Sequence, residues 1–298
     1  MYWNDLNNNL KAQYNSKVYK LALSSGCTCP NRDGTLGDRG CIFCDGAGAF
    51  AEQGDIPAQL EAARDRVAAK AGKNAKYIAY FQSFTNTYGP VERLRKLYTQ
   101  AMEPEDVVIL SVATRPDCLP EETLDLLAEL NRTKPVWVEL GLQTIHPASA
   151  RYIRRGYDLP VYEDAVRRLK AAGITVVTHQ ILGLPGETQH MMAQTAQYIG
   201  QSGADGIKFH LLHVLRGTDL AEAWRAGKMQ TMELDAYIAA LETCVRHLPR
   251  EIVIHRLTGD GAKRDLLAPL WSGDKKRVLN AIHSAFRRDD VVQGSALM

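Results

Sequence analysis

The sequence predicts an α/β fold, a parallel sheet curled completely or partly into a barrel. Three observations predict it. Short β-branched or aliphatic runs alternate with longer helical patterns along the chain. A strand recurs roughly every 30 residues, the size of a strand–helix–strand unit. Most of the runs are nearly continuous in apolar residues, as parallel strands covered on both faces must be. A doubly wound open sheet would use the same units in another order and is the alternative.

The expected strands are 18–24, 76–82, 107–113, 136–141, 174–181 and 206–212, with a late strand at 252–255. Between them, 56–71 carries Leu60, Ala63 and Val67 at helical spacing. The stretch 120–131 carries Leu124, Leu127 and Leu130 behind a Pro-Glu-Glu start, a helix N-terminal signal. The stretch 161–172 ends before Gly173, a helix stop. Further helices are expected at 189–201, 232–248 and 275–287. The longest stretch without periodicity is 26–54, with Gly34, Gly37, Gly40 and an Asn31-Arg32-Asp33-Gly34 turn signal. Loops of that length in compact domains are usually functional.

Composition bounds the function. Of 298 residues, 45% are apolar and 23% charged, which excludes disordered and collagen-like classes. The 36 basic residues against 34 acidic ones give a net charge of +2, which supplies no global drive toward nucleic acid. No run of 18 apolar residues occurs, so no membrane span is expected. The start, MYWNDLNNNL, lacks a basic-then-apolar leader pattern, so a cytoplasmic location is expected.

Four of the six cysteines, Cys27, Cys29, Cys41 and Cys44, crowd into the aperiodic loop just past the first strand. In a reducing compartment such a cluster reads as metal-binding or catalytic. Three readings are open: a closed zinc site on all four, an electron-transfer iron–sulfur cluster on all four, or a four-iron cluster on three thiolates with one iron open. The tight Cys27-x-Cys29 spacing fits poorly with a zinc knuckle. Cys118 and Cys244 read as ordinary thiols.

Polar residues gather where the strands end, the end at which parallel barrels place their chemistry. Gln82, Ser83 and Thr85 follow the second strand; Arg115 follows the third; Glu139 and Gln143 flank the end of the fourth. His179 lies in the fifth, which runs into Gly183. Lys208 and His210 alternate with apolar neighbours in the sixth, so both should point into the barrel. Each has a plainer reading. Arg115 could tie down a loop acid, Glu139 could be a buried ion partner, and a strand histidine is often a satisfied core residue.

Taken together, Cys-Pro-Asn-Arg-Asp-Gly-Thr at 29–35, Gly-Cys-Ile-Phe-Cys at 40–44 and Tyr-Phe-Gln-Ser-Phe-Thr-Asn-Thr at 80–87 carry a resemblance. So do Ala-Thr-Arg-Pro-Asp-Cys at 113–118, Glu-Leu-Gly-Leu-Gln-Thr at 139–144, Gly-Leu-Pro-Gly-Glu at 183–187, Gly-Ile-Lys-Phe-His-Leu-Leu-His at 206–213 and His-Arg-Leu-Thr-Gly-Asp-Gly at 255–261. The sequence resembles the YtqA/YhcC-like family of radical S-adenosylmethionine (SAM) enzymes, related to the radical SAM domain of the Elongator catalytic subunit.

The resemblance implies a partial (β/α)6 TIM-like barrel of the radical SAM type with N- and C-terminal extensions. It implies one domain over 1–298, with a core at about 17–215 and a C-terminal extension at about 216–298. It implies a [4Fe–4S] cluster on Cys29, Cys41 and Cys44, with SAM on the open iron, cleaved on reduction to methionine and a 5′-deoxyadenosyl radical. Phe43 matches the family's aromatic near the adenine. Gln82, Ser83, Thr85, Arg115, Glu139, Gln143 and Gly183 would bind cofactor, and Lys208, His210 and His179 would be catalytic. Cys27 stands where an apolar residue is expected. The implied substrate is tRNA, at the C5 side chain of the wobble uridine, for example carboxymethylaminomethyl to aminomethyl. An electron donor such as flavodoxin or ferredoxin, and a downstream tRNA methyltransferase, would be partners. Local basic groups at Arg151, Arg154 and Arg155, at Arg167, Arg168 and Lys170, at Lys275, Lys276 and Arg277, and at Arg287 and Arg288 could meet phosphates; Tyr2, Trp3 and Tyr14 could stack on bases.

Overall fold

The computed structural model describes residues 2–45, 54–72, 74–259, 261 and 263–297. In chain order the elements are α1 (Leu6–Tyr14), β1 (Val18–Leu23), α2 (Ile56–Ala68), β2 (Lys76–Phe81), α3 (Val91–Met102), β3 (Val107–Thr114), α4 (Glu121–Asn131) and β4 (Val136–Gln143). There follow α5 (Pro147–Tyr152), α6 (Leu159–Ala171), β5 (Thr175–Leu182), α7 (Gln189–Gln201), β6 (Gly206–Leu211), β7 (Val214–Leu215) and α8 (Asp219–Arg225). The chain ends with α9 (Leu234–Arg246), β8 (Val253–Arg256), β9 (Leu266–Ala268) and α10 (Lys275–Arg288).

Seven strands form one parallel sheet in the order β1-β2-β3-β4-β5-β6-β8, and β7 pairs antiparallel with β9. Strand order follows chain order without reversal, so the sheet has no switch point and the doubly wound alternative falls away. The sheet is curled. In a flat sheet β2 and β6 would lie about 19 Å apart, four spacings, beyond the reach of two side chains. Yet Lys208 on β6 donates to the hydroxyl of Tyr80 on β2 at 2.8 Å. Lys20 on β1 likewise reaches Glu139 on β4 at 3.2 Å.

The main apolar core lies outside the curl, between the strands and the helices. Phe81, Leu110, Val138, Val176 and Phe209 meet Leu94, Leu127, Leu169, Ile199 and Leu241 there. Inside, α1 closes the lower end. Its buried Leu6 and Leu10 pack on Ile78, Ile109 and Trp137. The segment before it runs beside β8, where the amide of Ile254 donates to the carbonyl of Asn4 at 2.8 Å. Asp5 caps α1 by accepting from the Asn8 amide at 3.1 Å.

All seven expected strands form, with ends shifted by a residue or two. The helix α3 was not among the sequence expectations, although Leu94, Tyr98, Ala101 and Met102 give it a buried face at helical spacing. The short α1, α5 and α8 and the β7–β9 pair also come from the structure alone. Residues 46–53 of the aperiodic loop and Asp260 of the 255–261 motif lie outside the described residues.

Gly206 sets how closely β8 joins the sheet. A Cβ there would stand 2.8 Å from Nε2 of His255 and 3.0 Å from the carbonyl of Val253. Gly206→Ala should therefore loosen the last strand and lower stability by about 1–3 kcal/mol, read as a urea midpoint shift at constant slope.

Candidate active site

The cysteine loop is stitched into place by short turns. The amides of Arg32 and Asp33 donate to the Cys29 carbonyl at 2.8 and 3.2 Å, and the Cys44 amide donates to the Cys41 carbonyl at 2.9 Å. Asn31 is buried; its amide group donates to the Arg154 carbonyl at 2.8 Å and lies 3.5 Å from the Cys41 sulfur. Two glycines make this approach possible. A Cβ on Gly156 would sit 2.8 Å from Oδ1 of Asn31, and one on Gly40 would sit 2.8 Å from Nε of Arg32, and both backbones have positive φ.

The result is a cavity of about 260 Å³ over the C-terminal ends of the strands. Cys29, Cys41, Cys44 and Phe43 form one wall; Gln82, Thr85, Arg115, Gln143, Glu139 and His179 form the rest, with Arg32, Phe84, Arg155 and Tyr157. Phe84 and Gln143 have φ of 63° and 68°, left-handed conformations that non-glycine residues seldom adopt and that mark strained functional loops.

Glu139 is fully buried at the floor of this cavity. Its Oε1 accepts from Lys20 at 3.2 Å and Ser111 at 2.9 Å; its Oε2 accepts from His179 at 2.7 Å and from Lys208. The four acceptor positions of the carboxylate are thereby filled, which is the geometry of a buried ion partner and leaves none for ribose hydroxyls. Burial by itself would raise its pKa, but Lys20 and Lys208 outweigh burial and hold it well below the usual carboxylate range. Burial pulls the Lys208 ammonium well down, although Glu139 opposes it. His179 is pushed down to about 4, first by burial, so a neutral ring donates to Glu139. His210 stacks on His179 with centroids 4.8 Å apart, and its pKa is held low by burial and then by Arg256.

Other expected residues are placed as follows. Lys208 and His210 lie under the cavity floor rather than on its wall. Arg115 grips Asp117 through two hydrogen bonds of 2.9 and 2.7 Å while it lines the cavity, the local pairing that its plainer reading anticipated. Ser83 is buried, and its hydroxyl finds no partner among the described residues. Gly183 is not on the wall. Its φ of 88° favours glycine, and a Cβ there would stand 2.9 Å from the sulfur of Met232. Cys27 is buried in the main core beside Gly89, away from the three cavity thiols.

The sequence did not single out Arg32, Phe84, Arg155 or Tyr157 as residues of this cavity. Arg155 was grouped with surface cations, but it is buried and donates to the carbonyls of Leu142 and Thr144 at 3.2 and 2.7 Å, with Tyr157 against its guanidinium. Its neighbour Arg154 pairs with Asp219, as does Arg39. Arg167, Arg168, Lys170 and Arg288 also have carboxylate partners.

The donor chemistry fits a cluster held by three thiolates. Among the described residues no three His, Cys, Asp or Glu side chains close on a single point. The three cavity thiols are instead spread along one wall, and the Nε of Arg32, a buried donor beside them, has no partner among the described residues. Burial and then the neighbouring Cys44 push the Cys41 thiol up to about 11.

Comparison with known proteins places this site in context. Residues 29–199 match the radical SAM superfamily, and residues 204–288 match the Radical_SAM C-terminal domain. An uncharacterized protein of Bacillus subtilis (strain 168), YtqA, is 42% identical over 296 residues, covering 98% of this chain and 92% of that protein. A tRNA uridine(34) acetyltransferase of Methanocaldococcus jannaschii is 27% identical over 156 residues, 51% of this chain and 28% of that protein. Among solved structures, the archaeal Methanocaldococcus infernus Elp3 with an N-terminal deletion shares the fold at a TM-score of 0.71 and 18% identity. The match covers 93% of this chain, which spans 64% of that longer one. No helix among the described residues is long and apolar enough to cross a membrane.

The histidine and the carboxylate set an acid limit on the fold. An unfolded histidine titrates near ~6.5. Below that pH the unfolded chain takes up a proton that His179, pushed down to about 4, refuses. Stability therefore falls as pH drops through this window, and protonation of Glu139 below it acts in the same direction. Urea midpoints should drop by the equivalent of about 3 kcal/mol for His179 between neutral pH and pH ~4. His179→Gln should remove that share of the drop and leave the share of His210 and His255, which burial also holds low.

Proposed function

The chain belongs to the radical SAM superfamily, and from that premise we propose that it modifies the C5 side chain of the tRNA wobble uridine, with Cys29, Cys41 and Cys44 as ligands of the family's [4Fe–4S] cluster. The observation that carries the ligand assignment is the three thiols on one cavity wall beside the partnerless Nε of Arg32. The bound cluster and SAM would together supply a 5′-deoxyadenosyl radical for hydrogen abstraction. The protein's own residues bind, orient and exclude water. Phe43 offers an aromatic face for adenine, and Gln143, held by its left-handed backbone, offers an amide to ribose. Arg115, anchored by Asp117, keeps one nitrogen for a carboxylate. Glu139 fixes His179 as a neutral donor at the floor, above Lys208 and Tyr80. His179 then faces the reacting side chain of the substrate from the floor, with Lys208 and His210 beneath it as its support.

The tRNA substrate is supported by the relation to the tRNA uridine(34) acetyltransferase over half of this chain. The most specific form of the reading is conversion of a carboxymethylaminomethyl group to aminomethyl. That product would serve a tRNA methyltransferase, and a flavodoxin- or ferredoxin-type donor would provide the electron.

Two measurements test this. Anaerobically reconstituted protein should show a broad absorbance near about 400 nm and form 5′-deoxyadenosine with SAM and reductant. Cys41→Ala should lose both signals and Cys27→Ala should keep both; the reverse pattern would show the wrong ligand set. Nucleosides of tRNA from a strain lacking the protein should lose one wobble-uridine species and accumulate its precursor. An unchanged profile would overturn the tRNA assignment and leave the radical chemistry standing.

A further inference from the structure

A second cavity, of about 600 Å³, lies between the N-terminal segment, β8 and α10. It is separate from the cysteine cavity and large enough for a nucleotide, given that ligand pockets run from about 300 to 1,000 Å³. Tyr2, Trp3 and His283 give it aromatic walls, and Arg256 and Lys275 give it cations. Trp3 is only partly buried, and its ring meets His283 and Phe286 edge to face at 5.2 and 5.3 Å. Two polar atoms of the wall are buried without a hydrogen-bond partner among the described residues: Nδ1 of His255 and Oγ1 of Thr258, whose residue is 3% exposed. Such atoms in a cavity wall call for a polar ligand or ordered water. The one acid in the wall, Asp5, is committed to capping α1.

The charge around this cavity is arranged against local stability. The first turn of α10 begins Lys275, Lys276, Arg277, and no acidic residue occurs within the helix. Cations at a helix N-terminus oppose the macrodipole, where an anion would be favoured. Asp274 caps the helix by accepting from the Arg277 amide at 3.1 Å. Lys276 and Arg277 are exposed, and neither side chain has a carboxylate partner among the described residues. Arg154, Arg155, Arg167, Arg168 and Lys170 differ in this respect, being held by acids or buried.

We propose that this cavity seats an unstacked nucleotide of a single-stranded RNA segment, its base among Tyr2, Trp3 and His283 and its flanking phosphates on Lys275, Lys276 and Arg277. Aromatic walls joined to a cationic track are how single strands are bound without reading their sequence. An RNA strand fits better than a mononucleotide, because Lys276 and Arg277 lie outside the cavity wall and need a phosphate beyond the seated one. The inner wall also places the strand well. Arg256 pairs in register with Lys208, so the cavity is one strand away from the floor of the cysteine site.

This inference rests on the tRNA reading, and one experiment separates the two. Binding of a fluorescently labelled anticodon stem–loop RNA is measured by anisotropy across a salt series. Wild type should bind with a linear log–log salt dependence, and the double variant Lys276→Glu, Arg277→Glu should bind at least ~10-fold more weakly with a slope reduced by about 1.5. Unchanged thermal unfolding of this surface variant would show that its fold is kept. A 4-thiouridine probe should crosslink to Tyr2, Trp3 or His283 by peptide mapping. Wild-type binding with an unaltered variant, with crosslinks elsewhere, or with uridine monophosphate competing as well as the RNA, would overturn this site and leave the tRNA reading intact. Failure of the wild type to bind the stem–loop would overturn the tRNA reading itself.

Discussion

The carboxylate of Glu139 is the interaction on which the interior depends. A curled parallel sheet must fill its own inside, and here one buried charge joins side chains from four other strands: Lys20 from β1, Ser111 from β3, His179 from β5 and Lys208 from β6. Tyr80 from β2 is drawn in through Lys208. A buried ion pair is weak evidence for stability, because desolvation offsets most of its attraction. An apolar layer, like the one that Leu6 and Leu10 complete just below, would close the sheet with less penalty. The polar layer is better understood through what stands on it, a cavity ringed by thiols and cations whose floor must be polar, dry and fixed.

That floor explains how the upper residues are positioned. His179 cannot rotate freely while its Nε2 serves Glu139, and its stacked partner His210 is confined with it. Above them the loop of cysteines is held by backbone turns and by Asn31 and Arg32, whose approach needs the missing side chains of Gly156 and Gly40. The wall is therefore set by main-chain geometry and the floor by side-chain charge. The two meet at Gln143 and Phe84, where the backbone adopts left-handed conformations.

Much of this was legible in the sequence, for physical reasons that differ by element. The strands were legible because burial on both faces writes a continuous apolar run, and the three cavity cysteines because thiol spacing within a loop is local. The partners of Glu139 were not, since Lys20 and Lys208 lie 119 and 69 positions away and only the curl of the sheet brings them together. Gly183 was ambiguous because a glycine needed for a left-handed turn beside the Met232 sulfur has the same signature as one kept small for a ligand. Cationic clusters were ambiguous for a similar reason. Arg154 and Arg155 are adjacent in sequence, yet one pairs with Asp219 at the surface and the other is buried against backbone carbonyls and Tyr157.

The last strand of the sheet links the two halves of the molecule's chemistry. β8 comes from the chain's C-terminal portion, yet its register against β6 sets Arg256 beside Lys208, and Gly206 lets His255 press against the sheet. Residues 254–258, in and just after this strand, line the cavity bounded by Trp3 and α10. An edge strand with unpaired backbone normally needs cover, and here the N-terminal segment supplies it through the Asn4 carbonyl and the bridge at Asp5. Covering the edge with a segment that carries Tyr2 and Trp3 turns a structural need into a binding wall. In the proposed reading, an RNA strand seated there would lie beside β8, one strand of the sheet away from the floor of the cysteine cavity.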